Sequence, residues 1–150
     1  MVATKTNIMV SQLLRRKGRQ VYATRPETTV YEALQVMAEK NVGALLVVDS
    51  DGLAGIFSER DYARKVILQG KSSKDTPVHE IMTKRVYFVH PDNSIEECMA
   101  LMTERKIRHL PVLVGDRIAG VISIGDVVKE IIEEQGFVIE QLENYITGGR

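Results

Sequence analysis

Two short stretches carry the residues best placed for chemistry. GIFSERD, residues 55–61, and GVISIGD, residues 120–126, each put a serine three positions ahead of an aspartate, where an apolar run gives way to a helical pattern. Ser58 with Asp61, and Ser123 with Asp126, read as capping boxes: the hydroxyl accepts an N–H of the first turn and the carboxylate reaches back to the serine N–H. One isolated copy is explained by capping alone. Two copies at matched positions, each behind a strand containing a glycine, leave open a ligand held at both. Catalytic arrangements are missing from the sequence. His79, His90 and His109 have neither HExxH nor cysteine-pair spacing for zinc. There is no G-x-S-x-G elbow, no P-loop and no Rossmann glycine fingerprint. Cys98 stands at an alanine position of an internal repeat, which reads as a small buried residue rather than a reactive thiol.

The elements that position these corners come from a duplication. At an offset of 65, residues 21–67 overlie 86–132 without a gap, and 14 of the 47 pairs are identical, too many for coincidence. Each copy opens with a short extended piece stopped by proline, VYATRP or VYFVHP. A helical pattern follows, with Val30, Leu34 and Met37 in the first copy and Ile95, Met99 and Met102 in the second. Two apolar runs flank a turn at residues 49–52, and again at Gly115 and Asp116, so each copy contains a β-hairpin. The closing helices, ERDYARKVILQG and IGDVVKEIIEEQG, end in glycine. The predicted fold is α/β (α+β): two β-α-β-β-α repeats about a pseudo-two-fold axis, forming one compact module. Expected boundaries are a basic N-terminal helical segment over 1–20, repeat 1 over 21–70, and a linker and lead-in over 71–85 ending in a short helix. Repeat 2 spans 86–136 and an amphipathic tail 137–150.

Bulk composition narrows the function classes. A chain of 150 residues with 44% apolar content buries a sufficient core without disulfides or metal. Twenty basic and twenty acidic residues give a formal charge of zero, which removes a global electrostatic case for nucleic acid or an anionic membrane. The charges are unevenly spread: Lys5, Arg15, Arg16, Lys17 and Arg19 precede any acid, and Glu130, Glu133, Glu134, Glu140 and Glu143 crowd the other end. These are either two solvated faces or, near Lys17 and Arg19, a local anion site. A basic segment without interleaved aromatics argues against nucleic acid. The single cysteine excludes an internal disulfide and favours a reducing compartment. No apolar run approaches the ~18 residues of a membrane span, and residues 1–20 lack a secretory core, so a cytoplasmic protein without membrane contact is expected.

The β-α-β-β-α plan, VHEIMTKRVYFVHP leading into the second copy, RHLPVL in its middle strand, and the endings GIFSERD and GVISIGD together resemble a tandem pair of cystathionine-β-synthase (CBS) domains, a Bateman module. The resemblance spans roughly residues 8–134. It implies a non-catalytic sensor that binds an adenine nucleotide (AMP, ATP or NAD(H)) in clefts between the repeats and passes the signal to a protein partner. An S-adenosylmethionine sensor is one alternative, and a structural or interaction module with empty clefts, its corners serving only as caps, is the other.

On that resemblance, Asp61 and Asp126 are the ribose carboxylates, since vicinal hydroxyls can donate two charge-assisted bonds to one carboxylate. Ser58 and Ser123 offer hydroxyls beside helix starts that attract anions. Val21, Tyr22, Val86 and Tyr87 lie where the family's first strand meets adenine, and Ala44, Leu45, His109, Leu110 and Pro111 line the facing strand; ordinary core packing accounts equally well for the valines and leucines. His109 is either a packed residue or a ligand contact. The corners differ, with Arg60 where the second has Gly125, and with Lys17 and Arg19 ahead of the first copy where the second has Thr83, Lys84 and Arg85. Arg60 can bind phosphate through two parallel N–H bonds, so the first cleft is expected to favour the more phosphorylated ligand. The second offers Thr83, with Lys84 or Arg108, to a monophosphate. The resemblance also implies a flat two-fold homodimer through the helices. Tyr62, Val66, Ile67, Val127, Val128, Ile131 and Ile132 supply apolar material, and Phe137, Ile139, Leu142 and Ile146 of the tail add more.

Overall fold

The computed structural model describes residues 8–134; the expected tail and the first residues of the N-terminal segment lie outside them. The elements run α1 (Val10–Lys17), β1 (Ala23–Thr24), α2 (Val30–Lys40), β2 (Ala44–Asp49), β3 (Gly52–Ser58) and α3 (Glu59–Tyr62), which continues as a π-turn over Ala63–Ile67. A 3₁₀ turn (Val78–Glu80), α4 (Ile95–Arg105), β4 (His109–Val114), β5 (Arg117–Ser123) and α5 (Ile124–Glu134) complete the order. They form two compact units. One comprises residues 20–88 with 113–119; the other comprises 8–19, 89–112 and 120–134.

Local chemistry sets the elements of the first unit. Thr29 caps α2, accepting from the Glu32 N–H, while Glu32 reaches back to the Thr29 N–H. The helix ends at Asn41 in the left-handed region, φ 55°. Gly52, at φ 116°, makes the turn between β2 and β3, which pair antiparallel from Ala44↔Ser58 to Asp49↔Gly52 with an irregularity at Val47/Val48. β1 adds in parallel through Ala23↔Leu46 and Thr24↔Val47. Val30, Ala33 and Met37 of α2 pack with Leu45, Val47, Phe57, Val66, Val78 and Ile81 as the core.

The second unit repeats the plan, with Ser94 and Glu97 capping α4 and β4 pairing with β5. Val10, Leu13, Leu14, Ile95, Cys98, Met102, Leu110, Val112, Ile122 and Val127 are buried in it. It departs from the predicted repeat in its first strand, since VYFVHP keeps only an isolated parallel bridge, Val89↔Val112. The cause is Pro111. In the first unit the Leu46 N–H donates to the Tyr22 carbonyl at 3.2 Å; Pro111, at the position of Leu46, has no N–H to give. Along α5, Val127 is buried, Ile131 and Ile132 are half-buried and Val128 is exposed.

The lead-in segments exchange places. In the first unit, Val78 N–H donates to the Thr28 carbonyl at 2.7 Å and His79 N–H to the Pro26 carbonyl at 2.9 Å. In the second, Val10 N–H donates to the Asn93 carbonyl at 2.8 Å and Ser11 N–H to the Pro91 carbonyl at 3.0 Å. Pro26 corresponds to Pro91 and Thr28 to Asn93, so VSQLL and VHEIM are equivalent docking segments. Each packs on the repeat it does not lead into: residues 10–14 lie on repeat 2 and residues 78–82 on repeat 1.

Candidate functional site

Each corner is the end of a hairpin's second strand and the first turn of a closing helix. At the first, Ser58 is extended, so its Oγ accepts the Asp61 N–H at 3.2 Å while Asp61 Oδ2 accepts the Ser58 N–H at 3.0 Å. The Glu59 N–H donates to the Gly43 carbonyl, turning the chain into the helix. Asp61 Oδ1 accepts the Thr83 hydroxyl at 3.1 Å and pairs with Lys65 Nζ at 3.0 Å. Lys65 also donates to the Ile81 carbonyl at 3.2 Å. The Asp61 side chain is 8% exposed, so this corner is bonded through both carboxylate oxygens.

At the second corner, Ser123 Oγ accepts the Asp126 N–H at 3.1 Å and Asp126 Oδ2 accepts the Ser123 N–H at 2.8 Å. The Ile124 N–H donates to the Arg108 carbonyl at 2.9 Å. The cation comes from α1: Lys17 Nζ donates to Asp126 Oδ2 at 2.6 Å and to the Val121 carbonyl at 2.7 Å. Arg16 adds ion pairs to Glu130 and Glu133 on α5. The Asp126 side chain is 25% exposed. Burial pushes its carboxyl up, but the bonds from Lys17 and Ser123 outweigh this and hold it below its ordinary range. His109 is shifted down, first by burial and further by Lys17 and Arg108, against the opposing pull of Asp126.

Lys17 and Thr83 have therefore traded the corners that chain order predicts. Lys17 precedes repeat 1 yet bonds Asp126; Thr83 precedes repeat 2 yet bonds Asp61. The exchange of lead-ins is the reason, and the glycines permit it. A Cβ at Gly55 would stand 2.8 Å from the Thr83 carbonyl oxygen, and one at Gly120 2.8 Å from Leu14 Cδ2. The other expected residues divide between the units. Val21, Tyr22, Ala44, Arg60, Lys84, Val86 and Tyr87 belong to the first unit, and Arg19, Arg108, His109 and Pro111 to the second. Arg19, Arg60, Lys84 and Arg108 are exposed, and Pro111 is buried. The Tyr22 ring carries Lys40 Nζ at 5.6 Å and the Tyr87 ring carries the Arg85 guanidinium at 5.8 Å, each a cation–π contact. Sequence reasoning missed Lys65, although its i,i+4 spacing from Asp61 was a readable signal.

Comparison with known proteins agrees with this architecture. Residues 10–67 and 78–133 each match the CBS domain family. The mitochondrial CBS domain-containing protein CBSX3 of Arabidopsis thaliana is 40% identical over 149 residues, covering 93% of this chain and 72% of that protein. A solved Burkholderia ambifaria structure, described as a signal-transduction protein with CBS domains, is 55% identical, with a TM-score of 0.83, covering 87% of this chain and 98% of that one. The solved CBS-CP12 protein of bloom-forming cyanobacteria, described as hexameric, is 30% identical, with a TM-score of 0.73 over 81% of this chain and 66% of that one. With both repeats matched and the duplicated plan in place, the chain belongs to the CBS-domain family and carries a pair of CBS domains, a regulatory and signal-transduction module.

Proposed function

We propose that this module is non-catalytic and responds to an adenine nucleotide, AMP, ATP or NAD, whose ribose is held by a corner carboxylate. Ligand binding favours one of two arrangements of the module, and a protein partner reads the difference in their populations. The observation that carries this reading is Asp126: partly exposed, held ionised, and bonded to protein through Oδ2, with no bond to Oδ1 among the described residues. A carboxylate so placed at a helix start is the complement of a vicinal diol carrying a nearby phosphate.

Isothermal titration of nucleotide-free protein with AMP, ATP, NAD, NADH and S-adenosylmethionine tests it. At least one of the nucleotides should bind, and Asp126→Ala should weaken that binding by about 1.5–3 kcal/mol per lost charged bond. Binding of S-adenosylmethionine alone would replace the ligand class, and silence across the panel would leave the corners as helix caps of an interaction module. The reading includes a two-fold homodimer, the commonest closed assembly, and sedimentation of the same sample would count against it by giving a species near the 16.8 kDa chain mass.

A further inference from the structure

The two corners share one plan but differ in what their aspartates have left to give. At Asp61, Oδ2 accepts from Ser58 and Oδ1 from both Thr83 and Lys65. A ribose diol bonding there has to expel the Thr83 hydroxyl, which fixes the docked lead-in, and a lysine that also holds the Ile81 carbonyl. At Asp126 the protein bonds fall on Oδ2, and the side chain is 25% exposed against 8% for Asp61.

The lysines differ in the same sense. Lys65 rises from the closing helix and is spent between Asp61 and a backbone carbonyl. Lys17 is the last residue of α1, followed by Gly18 at φ 98°. Its ammonium has three donors, two of which are bonded, to Asp126 and Val121. An anion taken by the third donor would share the ammonium that holds the carboxylate, so that one nucleotide could engage this corner through both its phosphate and its ribose hydroxyls. Gly125, in the place of Arg60, adds no side chain over this helix start.

Resting on the nucleotide reading above, we propose that the two corners have divided their roles. The Ser123–Asp126 corner is the ribose-accepting site of the chain and Lys17 is its phosphate-selecting residue. Asp61 is a structural tie between the closing helix and the docked lead-in.

Titration of the full chain with AMP and with adenosine separates these roles. The parent should take one AMP per chain. Lys17→Met should weaken AMP by about tenfold or more and adenosine by clearly less, because the bonds to Asp126 and Val121 are lost in both titrations and the phosphate bond with AMP alone. Lys65→Met should leave AMP affinity and stoichiometry within about threefold, consistent with a role outside the binding site, and should lower the thermal midpoint. Thr83→Val makes the same comparison if Lys65→Met does not fold. Two AMP per chain of similar affinity would overturn the division of roles. So would an equal loss of adenosine and AMP in Lys17→Met, or a selective AMP loss in Lys65→Met or Thr83→Val. A parent that binds no adenine compound overturns the nucleotide reading itself and this division with it, whereas AMP binding in the wrong pattern overturns the division alone.

Discussion

Alanine at Gly55 and at Gly120 adds the same atom to equivalent positions, and the structure assigns the two different costs. Neither glycine has a positive φ, so the backbone accepts alanine and only the space decides. At Gly55 the new Cβ meets Met82 Sδ at 2.7 Å and the Thr83 carbonyl oxygen at 2.8 Å. The sulfur can swing aside. The carbonyl cannot, because it accepts the Ile56 N–H at 3.0 Å while Thr83 N–H donates to the Ile56 carbonyl at 2.8 Å. Overpacking costs ~1–3 kcal/mol and each weakened hydrogen bond ~1 kcal/mol, so Gly55→Ala should cost about 3–4 kcal/mol. At Gly120 the neighbours are Leu14 methyls, at 2.8 and 3.2 Å, which rotate away for about 1–2 kcal/mol. Urea unfolding reads both: with a slope of about 2 kcal/mol per molar, Gly55→Ala should lower the midpoint by roughly 1.5–2 M and Gly120→Ala by less than about 1 M. In a Leu14→Ala background the Gly120→Ala penalty should shrink, whereas Met82→Ala should relieve only part of the Gly55→Ala penalty. Equal costs at the two glycines, or full relief by Met82→Ala, would refute the assignment of the backbone carbonyl as the obstacle.

Two further outcomes concern titratable groups. Because the Asp126 carboxyl is held below its unfolded value, its contribution to stability is complete above the ordinary carboxylate range near ~4 and is lost as the pH falls through the lower folded value; Asp126→Asn should flatten that part of a urea-midpoint profile measured from pH 5 to pH 2. Burial pushes the Cys98 thiol up to about 12, so native protein should resist iodoacetamide at pH 8 and become alkylated only on unfolding, and rapid labelling of native protein would contradict its burial in α4.

What the sequence disclosed was set by the range of the interaction behind it. Capping boxes at Thr29, Ser58, Ser94 and Ser123 act over three residues, so the corners and helix starts were legible. The hairpins were legible from turns at Gly52 and Gly115, both at positive φ. The first strand of repeat 2 was overread because its extended pattern says nothing about Pro111, the residue that withholds the ladder bond. Helical periodicity likewise gave no notice of the π-turn, where Leu68 N–H donates to the Ala63 carbonyl at 3.1 Å. The reassignment of Lys17 and Thr83 was out of reach of the 65-residue offset, since VSQLL and VHEIM match at an offset of 68 instead.

The exchange of lead-ins also fixes the order in which the chain can finish itself on the ribosome. Residues 20–88 hold nearly all of one unit and emerge as one continuous run. Helix α1 is made earlier and waits, with Val10, Leu13 and Leu14 lacking their native cover, until α4, the second hairpin and α5 have been made. At ~5–20 residues per second that wait is on the order of ten seconds, far longer than a helix needs to form. The three basic residues closing α1, Arg15, Arg16 and Lys17, keep that early amphipathic segment charged and soluble until the acids of α5 arrive to meet two of them.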